Sequence, residues 1–431
     1  MLVEFSVENY RSFKDKVTFS MLASEDTAHE SSNVIVLDDG KRLLKSAVIY
    51  GANASGKSNL TSAMGFMSYF VLSSQERKPD ELIDVESFAL DNEHKLKPSK
   101  FDVVFYKNDT KYAYGLALTA SEVIDEYLYK FEGDKQRTIF ERSNTTEYNF
   151  NDEDGKNPDF DVLNYFCQFT SKNKSYLSIA VMLNFPKVME AYNWIVDTYQ
   201  YITSNAYNIL RSGYFDTNAD KNRVEAIIKM ATGWVKKIDV GIVDIEINED
   251  KELFKDDYFN NGKYTWENYV KVLNNVIAWH ETKGKNGTFS KIDFKFFRNI
   301  SNGTLVFFSI ALSIAEKILR GGIFIKDELS SEFHTLLSKF VVELFNCEKN
   351  ASKSQLIFTT HDTNLLDLNL FRRDQIWFTE KNPDTGATDI FSLCDFGNKK
   401  DIDVEKGYLL GIYGAIPFIR GSLIDRGGLD G

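Results

Sequence analysis

Cysteine is scarce in this chain of 431 residues, which contains only Cys167, Cys347 and Cys394. The three are far apart and none belongs to a Cys-x-x-C pair, which argues against a zinc site and against a disulfide framework. Such sparing use of cysteine is typical of a reducing compartment. The first residues also lack the basic flank and apolar stretch of a secretory signal. We therefore expect a cytoplasmic protein.

Long apolar runs and an excess of positive charge are also missing. The longest apolar run, Leu305–Ala315, is interrupted by two serines and is shorter than the ~20 residues that cross a bilayer, so we expect no membrane partner. The formal net charge of −12 means that the surface as a whole does not attract nucleic acid, although a local basic groove could still bind phosphates. The sequence has no internal repeat, no long heptad coiled coil and no second cluster of spaced acids that would suggest a nuclease.

The apolar patterns predict strands at both ends of the chain and helices between them. The predicted strands are Leu2–Val7, Val17–Met21, Ser46–Tyr50, Phe101–Tyr106, Lys111–Leu118, Asp239–Ile247, Gly322–Ile325, Gln355–Thr360 and Gln375–Thr379. We expect an α/β fold with one sheet built from both ends of the chain and an inserted, mostly helical lobe. The predicted boundaries are 1–130 and 301–420 for the two halves of the core, 131–300 for the lobe and 421–431 for a flexible tail.

A phosphate-binding loop follows the third predicted strand. Gly51-Ala52-Asn53-Ala54-Ser55-Gly56-Lys57-Ser58 fits the P-loop pattern in full, and Asn59 continues into a helical pattern. Its glycines let backbone N–H groups face phosphate oxygens, and the helix N-terminus favours the same anion. Lys57 would hold the β- and γ-phosphates and Ser58 would bind Mg²⁺. The expected cofactors are ATP and Mg²⁺.

Two adjacent acids follow the strand Gly322–Ile325. Asp327 would complete the Mg²⁺ site with Ser58, and Glu328 would orient or deprotonate the attacking water. Such a pair could equally begin a helix, and the P-loop in the same chain favours the catalytic interpretation. Lys326 departs from the pattern, because an apolar residue is more usual at that position.

His361 and Ser301-Asn302-Gly303 are weaker candidates. A lone histidine is more often structural, but His361 follows an apolar strand one unit after Asp327, where it could touch the γ-phosphate. Ser301 and Gly303 precede an apolar helix and are a plain helix N-cap signature. The same helix N-terminus could bind a phosphate of ATP held by another subunit.

The order of these motifs resembles that of an ABC-type ATPase head, and of its SMC and DNA-repair branch in particular. The chain is most similar to the ABC-like "AAA" ATPases of bacterial defence loci, which include abortive-infection and restriction-associated ATPases and the PARIS sensor ATPase, and which are related to the head of OLD-type nucleases. The segments that carry the resemblance are Asn9–Phe13, the P-loop, Ser301–Thr304, Asp327–His334, Thr360–Asp362, Arg372–Trp377 and Tyr408–Pro417.

The resemblance implies that Arg11 and Ser12 contact the nucleotide and that ATP is clamped between two copies of the head. Ile300 and Val306 depart from the usual residues of the family, and no Q-loop glutamine is evident after the P-loop helix. OLD-type nucleases carry a nuclease domain after the head, which we do not expect here.

The resemblance favours an ATP-driven switch that acts as a homodimer or larger homo-oligomer and controls a separate nuclease or toxin, with a phage protein as a candidate trigger. Two alternatives stay open from the sequence. One is a DNA-repair or SMC-like ATPase that acts on nucleic acid directly. The other is a scaffold that binds ATP but turns it over little.

Overall fold

The computed structural model describes residues 1–150, 159–197, 199–202, 221–238, 242–247, 259–260, 263–264, 276–283, 289–295, 302–331, 333–350, 353–397 and 403–416. The strands are β1 (Leu2–Glu8), β2 (Val17–Ser20), β3 (Val34–Val36), β4 (Arg42–Leu44), β5 (Ser46–Gly51), β6 (Ser99–Lys107), β7 (Thr110–Leu118), β8 (Val123–Glu132), β9 (Lys135–Ser143), β10 (Glu147–Asn149), β11 (Tyr199–Ile202), β12 (Ile242–Ile247), β13 (Phe259–Asn260), β14 (Lys263–Tyr264), β15 (Val276–Lys283), β16 (Phe289–Lys295), β17 (Ile323–Lys326), β18 (Gln355–Thr359), β19 (Ile376–Lys381) and β20 (Thr388–Ser392). The α-helices are α1 (Glu30–Asn33), α2 (Lys57–Ser73), α3 (Phe160–Phe166), α4 (Tyr176–Met182), α5 (Pro186–Asp197), α6 (Lys221–Ile238), α7 (Asn302–Arg320), α8 (Thr335–Phe345) and α9 (Val404–Leu409).

A six-stranded sheet in the order β11-β17-β18-β5-β19-β20 forms the centre of the fold. Its first five strands run parallel, and β20 pairs antiparallel with β19. Strands β5, β17 and β18 are buried along their whole length, as expected for parallel strands covered on both faces. Strand β5 comes from the first part of the chain and β17 to β20 from the last, as predicted for one sheet built from both ends, whereas β11 comes from the segment that was expected to form the inserted lobe.

An antiparallel sheet of seven strands lies beside it in the order β10-β9-β8-β7-β6-β1-β2. The hairpin β6–β7 turns through Asn108 and Asp109, both with positive φ (48° and 58°), which is the conformation that two-residue hairpins favour. Apolar side chains of both sheets and of α2 form one continuous core. This arrangement fixes α2, and with it the P-loop, against the two sheets.

The expected boundary of a mostly helical lobe at residue 130 is wrong. Residue 130 falls inside β8, and the antiparallel sheet continues through β9 and β10 as far as Asn149. The sequence shows why residue 130 lies in a strand, because Tyr127 and Tyr129 alternate with the fully buried Leu128 at a two-residue period. Within 131–300 the described segments contain four α-helices and also a three-stranded sheet in the order β12-β15-β16.

None of the helices within the described ranges is long and apolar enough to cross a membrane. The segment 421–431, expected to be a flexible tail, lies outside the described residues.

Candidate functional site

The loop between β5 and α2 depends on two glycines where the backbone meets the β19–β20 hairpin. A Cβ atom on Gly56, whose φ is +113°, would lie 2.5 Å from the side chain of Thr388. A Cβ on Gly51 would lie 2.5 Å from both Ser55 Oγ and Thr379 Oγ1. Only residues without a side chain allow this close approach, so the glycine pattern of the loop has a steric cause in the structure.

Hydrogen bonds from two threonines hold the same loop in place. Ser55 Oγ lies 2.6 Å from Thr379 Oγ1, and the Thr388 hydroxyl donates to the Ser55 carbonyl over 2.8 Å. The Thr388 hydroxyl is also 2.8 Å from Ser12 Oγ, which accepts from the Asn59 side chain at 2.7 Å. Sequence reasoning missed both threonines, because no local pattern connects them to the P-loop.

Lys57, the first residue of α2, is folded back onto the loop and only 5% exposed. Its Nζ donates to the carbonyl oxygens of Gly51 and Ala52, each at 2.9 Å. Burial lowers the pKa of Lys57 to about 8, while the nearby Asp327 and Glu328 act in the opposite direction. A phosphate group beside this ammonium would supply a negative charge and so stabilise the protonated form of Lys57, which burial disfavours.

The two acids lie at the end of β17, beside the end of β18. The strands are parallel and pair Lys326 with Phe358, so the residues that follow come side by side. The Thr359 hydroxyl donates to Asp327 Oδ1 over 2.7 Å, and the Glu328 amide donates to Thr359 Oγ1 over 2.8 Å. Glu328 adopts the left-handed conformation, with φ of 50°, a backbone state that non-glycine residues adopt rarely.

His361 faces Glu328 across the mouth of the P-loop. Its Nε2 lies 4.0 Å from Glu328 Oε1, and both side chains are partly exposed (42% and 49%). Burial and, to a smaller degree, the Lys57 ammonium lower the pKa of His361, against the opposing effect of Glu328. The imidazole is therefore mainly neutral near pH 7 and can accept a hydrogen bond as well as donate one.

These groups surround one open cleft of about 540 Å³. The cleft is lined by Asn53, Ala54, Ser55, Gly56, Lys57, Ser58, Asn59, Glu328, His361 and Lys381. The structure thus brings together most of the sequence-predicted site, with Asp327 held just behind Glu328 by Thr359. It adds Lys381, which the sequence did not indicate.

Arg11 and Ser12 line a neighbouring recess of about 440 Å³ that shares Asn59 and Lys381 with the cleft. Arg11 has φ of 49° and donates to Ser62 Oγ at 2.8 Å and to Glu86 Oε1 at 3.0 Å. The turn that presents Arg11 is connected to Asn59 and the P-loop helix. The resemblance at the N-terminus therefore concerns residues that border the cleft.

The structure describes only one of the two predicted signature residues. Ser301 lies outside the described residues, and Gly303 is exposed in the first turn of α7. A Cβ placed on Gly303 would meet nothing within 4 Å. Gly303 is also absent from the residues that line the cleft of its own chain.

The donor set at the cleft suits a magnesium ion held jointly by protein and phosphate. Across the described ranges no group of three or more histidine, cysteine, aspartate or glutamate side chains could hold a metal ion. Ser58 in the cleft and Asp327 behind it offer hard oxygen donors, and Mg²⁺ is commonly bound by one or two protein oxygens together with the phosphates of its nucleotide. The steric cradle of the loop, the buried Lys57 and these oxygens together fit Mg·ATP.

The solved structures that resemble this chain share little sequence with it. No curated protein matches the chain. A solved structure of an SMC head bound to the C-winged helix domain of ScpA is 12% identical over 91% of this chain and 97% of its own, with a TM-score of 0.46. The SMC head domain from Thermotoga maritima is also 12% identical, over 91% and 98%, with a TM-score of 0.39. An SMC head from Pyrococcus furiosus with an extended coiled coil, bound to the C-terminal domain of ScpA, is 13% identical over 96% and 98%, with a TM-score of 0.38.

The family model is the more informative match, because it covers most of the chain and contains the candidate site. The model described as "AAA domain, putative AbiEii toxin, Type IV TA system" matches residues 46–367. That range includes the P-loop, Asp327, Glu328 and His361. The chain belongs to this family of AAA-domain ATPases.

Proposed function

We propose that the protein is an ATP-driven switch of anti-phage defence, which hydrolyses Mg·ATP between two heads and controls a separate effector. The observation that carries the proposal is the single cleft formed by the P-loop, Glu328 and His361. A buried cation, a carboxylate and a neutral imidazole around one phosphate cradle are the groups that nucleotide hydrolysis requires.

Each group around the cleft has a proposed role in binding or hydrolysing the nucleotide. The backbone N–H groups of the loop and Lys57 bind the phosphates. Ser58 and Asp327 would hold Mg²⁺, which would supply positive charge to the phosphates. Glu328 accepts the proton of the attacking water, because its side chain is half exposed in the cleft while Thr359 fixes its backbone. His361, kept neutral by burial, hydrogen-bonds the γ-phosphate or the water.

The exposed start of α7 supports the dimer. A helix of this length has a positive N-terminal end that favours an anion, yet Gly303 lies away from the cleft of its own chain. Two copies related by a twofold axis would place each Gly303 and Ser301 against the ATP bound by the other copy. Closure then depends on ATP, because only the bound nucleotide bridges Lys57 of one head and the helix start of its partner.

The proposed biological role rests on the family description and on the resemblance of the motifs to those of known ATPases. That description refers to a toxin of a type IV toxin–antitoxin system, and the resemblance is to ATPases of defence loci. The region 131–300 would provide the surface for an effector nuclease or toxin and for a phage-derived trigger. The cleft itself would be occupied by the nucleotide and so would not bind a partner protein.

The test is co-expression of the protein with the product of the adjacent gene in phage-challenged bacteria. Phage restriction should require both proteins and should be lost with Lys57→Ala. It should survive Lys349→Ala, which removes an exposed lysine outside both the cleft and the region 131–300. Nucleic-acid cleavage by the purified protein alone, dependent on Lys57 and Mg²⁺, would contradict the proposal and favour the ATPase that acts directly on nucleic acid.

A further inference from the structure

We infer that Lys381 is a second phosphate-binding cation, which holds the phosphate nearest the nucleoside. The inference rests on the proposed use of the cleft for ATP and assigns a role to a residue that no sequence motif includes. Lys381 and Asn59 are the two residues that line both the phosphate cleft and the recess of Arg11 and Ser12. A nucleotide with its phosphates in one and its nucleoside in the other must pass between them.

The backbone of Lys381 is held at a fixed position relative to the P-loop. Lys381 is the last residue of β19, whose Thr379 pairs in parallel register with Gly51. The Thr379 hydroxyl lies 2.6 Å from Ser55 Oγ and 3.3 Å from the Tyr50 carbonyl. The strand that carries Lys381 is therefore bonded to both ends of the phosphate loop.

The turn after Lys381 restricts its side chain as well. Two backbone bonds close this turn, from Asn382 N to Ala387 O at 2.8 Å and from Gly386 N to Asn382 O at 2.9 Å. A Cβ on Gly386 would lie 2.3 Å from Leu90 Cδ1 and 3.7 Å from Lys381 Cε. The lysine stem thus runs along a tight turn that is packed against the wall of the recess, which limits the entropy lost when its ammonium binds an anion.

The ammonium of Lys381 is available to a ligand. The side chain is exposed, and in the part of the chain that the structure describes no carboxylate forms a salt bridge with it. Glu86, the acid that lines the recess, pairs instead with Arg11 at 3.0 Å. Lys57, by contrast, is buried and bonded to the carbonyl oxygens of its own loop.

The two lysines therefore differ in which phosphates they bind. Lys57 serves the β- and γ-phosphates inside the cradle. Lys381 stands where the cleft meets the recess and serves the α-phosphate. Loss of Lys381 should accordingly weaken AMP, ADP and ATP to a similar extent, whereas loss of Lys57 should weaken ATP and ADP far more than AMP.

The experiment compares the dissociation constants of ATP, ADP and AMP for the full-length parent, Lys381→Ala and Lys381→Arg. The control is Lys229→Ala, which removes an exposed lysine of α6 that lines neither the cleft nor the recess. We expect Lys381→Ala to weaken all three nucleotides about tenfold, which corresponds to ~1.4 kcal/mol. Lys381→Arg should retain most of the affinity, and Lys229→Ala should equal the parent.

Unchanged affinity of Lys381→Ala for all three nucleotides, or a loss confined to ATP, would overturn the inference. Unfolding temperatures measured without nucleotide separate a folding defect from a binding defect, and Lys381→Arg supplies the folded comparison. If Lys57→Ala loses ATP while Lys381→Ala keeps it, only this inference fails. If both variants bind ATP like the parent, the proposed function fails with it.

Discussion

The Thr359 hydroxyl donates a 2.7 Å hydrogen bond to Asp327 Oδ1 and accepts the Glu328 amide at 2.8 Å. One side chain of β18 thereby fixes both acids that follow β17. Thr359 is fully buried, so a replacement cannot recruit solvent easily to take over these bonds. We therefore expect Thr359 to act as a positioning residue for the carboxylate pair that follows β17.

Thr359→Val should keep the shape of the strand and lose both hydrogen bonds. Because a hydrogen bond to a charged group contributes about 1.5–3 kcal/mol, we expect ATP turnover to fall roughly tenfold to a hundredfold with ATP still bound. Thr359→Ser retains the hydroxyl and should stay near the parent. Steady-state phosphate release measures the effect, and parental turnover in Thr359→Val would exclude the positioning role.

ATP affinity should fall as the pH rises above about 8. Burial gives Lys57 a pKa of about 8 in the free protein, and bound phosphates raise it, so binding in this range takes up a proton. Below pH ~8 Lys57 is charged both in the free protein and in the ATP complex, so its titration does not change the affinity for ATP. Above it the affinity should drop by up to about tenfold per pH unit.

Calorimetric titration of ATP between pH ~6.5 and ~9.5, in buffers of different ionisation enthalpy, reports both the affinity and the proton uptake. Lys57→Arg, which stays charged throughout, should lose this pH dependence even if its affinity is lower. A parental affinity that is flat from pH ~8 to ~9.5 would remove Lys57 from the phosphate site.

Gly56→Ala should abolish ATP binding or weaken it by more than about a hundredfold. The new methyl group would lie 2.5 Å from Thr388, so the loop must leave the β19–β20 hairpin, and its N–H groups lose their alignment toward the phosphates. A matched change at Gly303, where a Cβ meets nothing within 4 Å, should leave the isolated chain folded. Equal ATP affinity of Gly56→Ala and the parent would show that the hairpin does not shape the loop.

Mixing two inactive variants tests the composite site. Lys57→Ala and Gly303→Arg should each be inactive as homodimers, because both of their ATP sites carry a lesion. In the mixed dimer both lesions fall in one site and the opposite site is intact, so about half of the ATPase activity per mixed dimer should return. If the mixture is inactive although light scattering shows that dimers are present, the ATP sites are formed within one chain.

The local motifs could be predicted from the sequence, because their chemistry is contiguous. The P-loop needs a strand, closely spaced glycines and a helix within one short segment. The order of Asp327, Glu328 and His361 after it predicts one common site; Glu328 and His361 line the cleft, and Asp327 is bonded to Thr359 behind Glu328.

The residues that hold the loop in place from β19 and β20 could not be predicted in the same way. Thr379 is 324 residues away from its partner Ser55, and only the pairing of β19 with β5 brings them together. Lys381 and Thr388 reach the site through the same pairing. The error at residue 130 is of another kind, because this boundary cuts β8 and leaves β9 and β10 in the segment expected to be mostly helical.

The most direct test of the central claim is a single-turnover measurement on Glu328→Gln with radiolabelled ATP and Mg²⁺. The amide preserves the shape of the side chain but cannot accept the proton of the attacking water. The variant should therefore bind about one ATP per chain, form dimers with it and release almost no phosphate while the parent turns over. Phosphate release by Glu328→Gln at the parental rate would contradict the assignment of this cleft as the hydrolytic site.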